Sequence, residues 1–268
     1  MENLACEIEG VVVPAGSVAA WWLAQAGFAL KSAAGTVIYV DPYLSNLAER
    51  TGGFRRLTLA PIGAEEVRAH WLVSSHEHAD HLDADALPVI ARNNPGCRFA
   101  GSAACAPVYR ECGLPTARQL IMEAGGTYDL DGVSVHTARA DHGEYSPSAL
   151  ALVLDFGGVS VMFTGDTALT TDLLQPLIAR HPQVLVPCIN GSFGNLNAVE
   201  AAQLTALIKP RLVIPCHFWM FKEHHVAGNG DPLTFVNACE QLCSSVRVEV
   251  LTPGQGIVVT PQVVQAIA

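Results

Sequence analysis

The chain has 268 residues, of which 50% are hydrophobic and 15% are charged, and its formal net charge is −10. This length and apolar content are enough to bury a large core, so we expect a single domain over residues 1–268 and neither a disordered nor a fibrous protein. The negative charge argues against nucleic acid or an anionic membrane as the main partner and leaves a small-molecule substrate.

The sequence also predicts the cellular location of the protein. No apolar run reaches the roughly 18 to 20 residues of a membrane span, and the acidic N-terminal segment lacks the basic region of a signal peptide. The eight cysteines form no Cys-x-x-Cys pair, as is typical of reduced, buried thiols. We therefore expect a cytoplasmic protein without a membrane partner, and the apolar content allows a homo-oligomer.

The first half of the chain alternates between strand and helix signals. Strand patterns cover 11–14, 19–23, 27–32 and 36–40, and the last two are joined by a hairpin turn at 33–35. A short helix is predicted over 65–69, followed by a strand over 70–75, a helix over 85–93, a strand over 98–100 and a helix over 103–111.

The second half repeats this scheme. A strand over 132–138 precedes a hairpin of 149–156 and 159–164 with a Gly157-Gly158 turn. Next come a helix over 172–180, a strand over 184–187, a helix over 198–208 with Asn197 as N-cap, and a strand over 211–215. A helix over 232–244 and strands over 246–251 and 256–260 complete an α/β (α+β) pattern. It predicts a four-layer αββα sandwich, with helices outside two sheets.

Four side chains that can bind a metal lie within six residues, directly after the strand at 70–75. They are His76, His78, Asp80 and His81. Neutral imidazoles and carboxylates are the ligands that borderline and hard divalent metals prefer, and loops at strand ends commonly carry function. The alternative is a solvated polar loop, but that loop would carry an unusual amount of imidazole.

Three more candidate ligands each follow a strand: His142, Asp166 and His217. The alternatives are a surface turn for His142, a helix N-cap for Asp166 and a core histidine for His217. Strand ends from two sheets can meet at one edge of a sandwich, where these side chains would form a two-metal site. In this arrangement His76, His78 and His142 hold one ion, Asp80, His81 and His217 hold the other, and Asp166 bridges them.

Other candidates surround this cluster. Asp41, at an Asp-Pro that ends a strand, is a candidate to accept a hydrogen bond from a ligand imidazole and so fix its tautomer, with a turn-initiating role as the alternative. Residues on the predicted rim are candidates to bind substrate, with an ordinary solvated loop as the alternative: Asn190, Lys222, His224 and His225.

The sequence resembles the metallo-β-lactamase superfamily over nearly its whole length. The resemblance rests on the 76–81 cluster, the strand-following His142, the Phe-Thr-Gly165-Asp166-Thr167 turn and the Pro215-Cys-His217 end. More narrowly, Trp21-Trp22-Leu23, Val40-Asp41-Pro42 and Asn190-Gly191-Ser192-Phe193-Gly194 are similar to the L-ascorbate-6-phosphate lactonase-like branch. The resemblance implies the metallo-β-lactamase fold and two divalent ions per chain, manganese or zinc, with iron as a further option.

The resemblance also implies a mechanism. Two cations would lower the pKa of a bridging water and give a hydroxide that attacks an ester, lactone or phosphodiester. Asp80 would orient this nucleophile or carry a proton to the leaving group. The expected activity is that of a lactonase-like hydrolase acting on a small, optionally phosphorylated, sugar derivative. The alternatives are a phosphodiesterase of the same fold and, in another class, a di-iron redox or binding protein.

Overall fold

Two β-sheets form the centre of the molecule in the computed structural model, which describes residues 3–222 and 230–267. In these residues the first sheet has eight strands. Its order is β15 (Val264–Ala266), β14 (Gly256–Val259), β1 (Val18–Trp22), β2 (Phe28–Ser32), β3 (Val37–Val40), β4 (Trp71–Ser74), β5 (Arg98–Gly101) and β6 (Gln119–Ile121). Strands β3 to β6 run parallel, and the others pair antiparallel.

The second sheet has the same plan, with seven strands in the described residues. Its order is β13 (Arg247–Val248), β12 (Leu212–Val213), β11 (Val184–Val186), β10 (Ser160–Phe163), β9 (Leu150–Asp155), β8 (Val133–Arg139) and β7 (Thr127–Leu130). Strands β10 to β13 run parallel, whereas β7 to β10 pair antiparallel. Each sheet therefore joins an antiparallel part to a parallel part, and the carboxyl ends of its parallel strands share one edge.

Helices cover the outer faces of the two sheets, except α2, which borders the pocket described below. The helices in the described residues are α1 (Leu4–Gly10), α2 (Leu47–Gly52), α3 (Ala86–Asn93), α4 (Cys105–Glu111), α5 (Thr171–Ile178), α6 (Ala198–Ile208) and α7 (Pro232–Leu242). Helices α1, α3 and α4 share a buried cluster with one face of the first sheet, α5 packs on β8 and β9, and α6 packs on α7. The predicted α/β sandwich is confirmed. None of the helices in the described ranges has the length and apolar character that crossing a bilayer requires.

Strand β1 shows how the sequence supports two cores. Ala20 and Trp22 face the buried cluster that lies between the sheets, whereas Ala19 and Trp21 face the cluster under the outer helices. Successive side chains point to opposite faces of a strand, so a strand that is covered on both sides reads as a continuous apolar run. This is why residues 18–24 lack the alternation of a half-exposed strand.

Two predicted elements are wrong. Residues 65–69 form the end of a turn and an irregular segment instead of a helix, because side chains compete for their backbone groups. The Asn94 amide binds the carbonyl of Val67 and the N–H of Ala69, and the Glu66 carboxylate accepts from the N–H of Gly63. Residues 11–14 lie outside any strand. The preceding helix α1 was not predicted, although the Asn3 side chain caps it and Leu4 and Ile8 bury one face.

Candidate metal centre

The loop after β4 carries the densest part of the site. The carbonyl of His78 accepts hydrogen bonds from the N–H groups of His81 and Leu82 at 2.9 and 2.7 Å, which folds the loop into a tight turn. The N–H of Leu150 in β9 donates to the carbonyl of Ser75 at 3.1 Å and so ties the loop to the second sheet. His76 and His81 are buried, whereas His78 and Asp80 are half-buried and reach towards the pocket.

One group of imidazoles meets on the His142 side of the site. Nε2 of His76 lies 2.9 Å from Nδ1 of His78, and Nε2 of His142 lies 3.3 Å from the same nitrogen. The ligand atoms of these three residues fit within 4.8 Å of one another, as a shared ion requires. His142 is buried and lies beyond the end of β8, as the sequence predicts.

A second group meets on the His217 side. Nε2 of His81 and Nε2 of His217 are 3.2 Å apart, and Oδ2 of Asp80 lies 3.5 Å from Nε2 of His217. His217 follows β12 with a left-handed backbone at φ +59, which its N–H stabilises by donating to the carbonyl of Gln25 at 2.9 Å. This uncommon conformation turns the imidazole into the site instead of along the strand direction.

The Asp166 carboxylate lies between the two groups. Its Oδ1 is 3.3 Å from Nε2 of both His81 and His217, and its Oδ2 is 3.8 Å from Nε2 of His142. The preceding Gly165 has φ +58, and a Cβ there would come within 2.7 Å of the Leu150 carbonyl, so glycine is required at this turn. Helix α5 begins only at Thr171, which excludes the N-cap alternative for Asp166.

Hydrogen bonds behind the cluster assign the imidazole tautomers. Asp41 accepts from the Ser75 N–H and hydroxyl, both at 2.7 Å, and from Nδ1 of His81 at 2.9 Å. Because the Ser75 hydroxyl donates to Asp41, its oxygen accepts from Nδ1 of His76 at 3.0 Å. Nε2 of His78 donates to the Tyr145 carbonyl at 3.1 Å. The lone pairs of His76, His78 and His81 therefore all point into the cluster.

This arrangement fits divalent cations. Lone pairs at about 3 Å from each other repel unless a proton or a cation lies between them, and the buried Oδ1 of Asp166 makes no hydrogen bond of good geometry with the described residues. Imidazole and carboxylate donors with open positions towards a pocket are typical of catalytic zinc or manganese sites. The residues that would hold the ions are His76, His78, Asp80, His81, His142, Asp166 and His217.

The pKa values describe how the same cluster behaves without metal. Burial alone would lower the pKa of His217, but the Asp166 and Asp80 carboxylates outweigh it and raise this pKa to about 9. The pKa of His81 is raised well above its ordinary value because Asp166, Asp41 and Asp80 outweigh its burial. Burial and the neighbouring imidazoles lower the pKa of His76 well below its ordinary value. Without metal, protons on His81 and His217 therefore supply the positive charge that bound cations would otherwise provide.

Of the other predicted residues, some lie at the site and some do not. Asp41 is buried and accepts from His81, as expected for a residue that orients a ligand. Asn190 is buried and lines the pocket. Lys222 is exposed and directly follows Phe221, but it does not line the pocket. His224 and His225 lie outside the described residues.

Several residues of the site were not predicted. The Gln25 amide donates to Oδ2 of Asp80 at 2.7 Å and lies 3.2 Å from Nε2 of His217. The Asn195 amide donates to Oδ2 of Asp166 at 2.8 Å, and Ser75 links Asp41 to His76. The sequence could have identified Gln25 as a candidate, because it is the only amide, hydroxyl or charged side chain in the apolar residues 18–30.

A pocket of about 280 Å³ opens over the cluster. Its floor is formed by His78, Asp80, His142, Asp166 and His217. Its walls come from α2 and the segment after it, from the loop at 190–193 and from Phe221. A concave, mostly apolar pocket with a few convergent polar groups is the expected form of a small-molecule site.

The family comparison agrees with this geometry. The family model described as "Beta-lactamase superfamily domain" matches residues 21–217, which span the chain from β1 to the last candidate ligand. The chain belongs to the beta-lactamase superfamily. A relative from Aeropyrum pernix, described as a UPF0173 metal-dependent hydrolase, is 30% identical over 248 residues, covering 87% of this chain and 94% of the relative. The chain is thus a metal-dependent hydrolase of this superfamily.

Two solved structures share the fold. Igni18, a metallo hydrolase from Ignicoccus hospitalis, has a TM-score of 0.67 at 22% identity and covers 91% of this chain and 98% of its own. CmlA, a diiron β-hydroxylase from Streptomyces venezuelae, has a TM-score of 0.65 at 16% identity, with 92% of this chain and 55% of CmlA covered. At these identities the likeness concerns the fold, and the fold hosts different chemistries.

Proposed function

We propose that this superfamily member hydrolyses a small ester or lactone at a site for two divalent cations. The observation that carries the proposal is the position of Asp166, whose two carboxylate oxygens face different groups of ligands, 3.3 Å from His81 and His217 on one side and 3.8 Å from His142 on the other. When bound, divalent cations supply Lewis acidity and activate water as a nucleophile near neutral pH.

Asp80 is the residue we assign to proton handling. It is half-buried on the pocket floor, and its Oδ2 is oriented by the Gln25 amide at 2.7 Å. Burial would raise the pKa of Asp80, but the charges of His81 and His217 outweigh it and hold this pKa below its usual range. Asp80 is therefore ionised at neutral pH and in position to orient a nucleophile and to accept a proton destined for the leaving group.

The pocket favours a carboxylic ester or lactone over a phosphodiester. Among the residues that the structure describes, those lining the pocket include no Lys or Arg. A phosphodiesterase binds a phosphoryl group that keeps its negative charge, for which arginine and lysine are the usual partners. The lactonase-like assignment, the choice of manganese or zinc, the cytoplasmic location and a homo-oligomeric state stay predictions from the sequence.

A substrate panel tests the proposal. The protein is stripped of metal, reloaded with Mn²⁺ or Zn²⁺, and assayed on simple esters, sugar lactones with and without phosphate, thioesters and phosphodiesters. We expect turnover of esters or lactones that disappears on chelation and returns on reloading. Turnover of phosphodiesters alone would overturn the proposal, as would inactivity of fully loaded protein on the whole panel. Iron retained after purification, with no hydrolysis, would favour the di-iron alternative.

A further inference from the structure

Aromatic rings from separate segments form a wall beside the candidate metal centre. Phe54 contacts Phe221 and Phe193, with ring centroids 5.7 and 6.1 Å apart, and Phe193 contacts Tyr145 edge to face at 5.7 Å. Tyr145 in turn lies 5.5 Å from the ring of His142. The wall is therefore continuous from a candidate ligand to the far side of the pocket. Aromatic faces of this kind bind planar or apolar groups.

Phe193 is presented to the pocket mouth by an unusual backbone. It has φ +55, a conformation that bulky residues rarely adopt, and the residue is 43% exposed. Gly191 and Gly194 on either side also have positive φ, so the whole loop is shaped to hold this ring outwards. An exposed aromatic residue in a strained loop beside a catalytic pocket is typical of a binding surface.

Asn190 gives the pocket a specific polar group. It is only 5% exposed, it lines the pocket, and neither its amide nitrogen nor its amide oxygen has a hydrogen-bond partner in the described part of the chain. Leaving both atoms unpaired is costly, and a carboxamide offers one acceptor and two donors. The Asn190 backbone is fixed by a bridge to Asn197. The unpaired carboxamide therefore suits a ligand that offers both a carbonyl and an N–H.

Arg56, in the segment after α2, is half-buried but does not line this pocket. Arg56 donates to the carbonyls of Tyr43, Ser45 and Thr58 and lies 4.5 Å above the Tyr43 ring, so it holds the segment after α2 in place. Apart from Asn190, the described lining offers carboxylates, imidazoles, the hydroxyl-bearing side chains of Thr51 and Tyr145, and apolar groups, but no cationic Lys or Arg side chain. The part of the substrate that lies against the aromatic wall is therefore uncharged.

We propose that the pocket selects a neutral ester or lactone that carries a secondary amide next to an apolar, preferably aromatic, group. The amide carbonyl and N–H pair with Asn190, and the apolar group lies against Phe54 and Phe193. This inference rests on the proposed hydrolysis and names the substrate class for it. A volume of about 280 Å³, just below the usual range of ligand pockets, restricts the substrate to a small molecule.

Matched esters test this substrate class. N-benzoylglycine methyl ester has both the ring and the amide, whereas methyl 4-oxo-4-phenylbutanoate replaces the N–H by CH₂ and keeps the shape. A ring-phosphorylated N-benzoylglycine ester adds charge. We expect the wild-type protein to prefer the first ester over the second by about tenfold in kcat/KM, since the isostere keeps the carbonyl but leaves the buried amide oxygen of Asn190 without a donor. The phosphorylated ester should be the poorest of the three.

Variants then assign the preference to residues. Asn190→Leu should reduce the ratio between the two esters to about one, and Phe193→Ala should raise KM for both esters alike. Leu207→Ala, on α6 at 52% exposure, is the matched control for an exposed apolar truncation and should change neither value. An equal kcat/KM for both esters in the wild type would overturn the proposal. A preference that survives in Asn190→Leu, or a preference for the phosphorylated ester, would also overturn it.

A binding measurement separates this inference from the proposed hydrolysis. N-benzoylglycinamide has the ring and the amide but no ester, and its binding to the wild-type protein is measured by calorimetry. If no ester is hydrolysed but this amide binds and Phe193→Ala weakens it, the hydrolysis proposal fails and the pocket assignment holds. If esters are hydrolysed but the amide does not bind, the pocket assignment fails. The wild-type results decide the matter even if Asn190→Leu does not fold.

Discussion

Replacing Asp41 by Asn is expected to disable the site without touching a candidate ligand. Asp41 has φ +46, a backbone conformation that Asn also tolerates, so the change leaves the turn intact. One carboxylate oxygen, Oδ2, accepts from both Nδ1 of His81 and the Ser75 hydroxyl. An amide NH₂ in its place meets two donors. His81 then takes the tautomer that presents an Nε2–H to the cluster instead of a lone pair.

The size of the effect follows from those contacts. Loss of a residue that orients a metal-binding imidazole costs about 10- to 100-fold in metal affinity. This range corresponds to about 1.4 to 2.7 kcal/mol. The larger value is expected here because Ser75 transmits the change from Asp41 to Nδ1 of His76 as well. Titration of metal-free protein with Zn²⁺ or Mn²⁺ in competition with a chromogenic chelator measures the two affinities.

The chain offers a matched control for this experiment. Asp131 also has a left-handed backbone, at φ +53, and its Oδ2 accepts from the Trp71 indole at 2.8 Å, away from the candidate ligands. Asp131→Asn should retain wild-type metal affinity, because an Asn oxygen still accepts from the indole. If Asp41→Asn binds metal as tightly as the wild type, the assignment of the imidazole tautomers is wrong.

Three further predictions address the reaction, the stability and the proton balance. Asp80→Asn should lower turnover by about a thousandfold, with a circular dichroism spectrum that matches the wild type. Glu77→Gln, in the same loop, is the control and should stay active. Retained turnover in Asp80→Asn would show that Asp80 does not take part in the reaction. Chelation should lower the thermal midpoint of unfolding by roughly 5 °C or more, because metal at a hundredfold excess over its Kd adds about 2.7 kcal/mol to the free energy of unfolding. An unchanged midpoint would contradict metal binding by the folded state. Metal binding should release protons below pH 9, because the carboxylates outweigh burial and raise the pKa of His217 to about 9, and a ligand imidazole must be neutral. Apparent affinity should therefore rise with pH up to about 9, and calorimetry in buffers of different protonation enthalpy would show the released protons. Heats that do not depend on the buffer would contradict this prediction.

The sequence was sufficient to predict the edge at which the site lies. Candidate ligands follow β4, β8, β10 and β12, and the structure brings all of them within reach of one another because the strand ends of both sheets share one edge. This inference needed only the order of strands and the position of each polar residue after its strand. The role of these residues as ligands stays a prediction that metal analysis will test.

The rest of the site depends on contacts that local sequence patterns do not contain. Gln25 lies 192 positions from His217, which it approaches, and Asn195 reaches Asp166 from a different loop. The aromatic wall joins Phe54 to Phe193 across 139 positions, from two segments without regular periodicity. The prediction of a helix at 65–69 was wrong for a similar reason, because Asn94, which follows α3, binds the backbone of Val67 and Ala69. Long-range side-chain contacts therefore decided what the local pattern left open.

Metal content per chain tests the central claim most directly. Metal-free protein is loaded with Mn²⁺ or Zn²⁺, passed through a desalting column, and analysed by inductively coupled plasma mass spectrometry beside its protein concentration. The two groups of ligands joined by Asp166 predict about two ions per chain, falling towards one when Asp166 is replaced by Asn. Less than one ion per chain in the fully loaded wild-type protein would contradict the two-metal account.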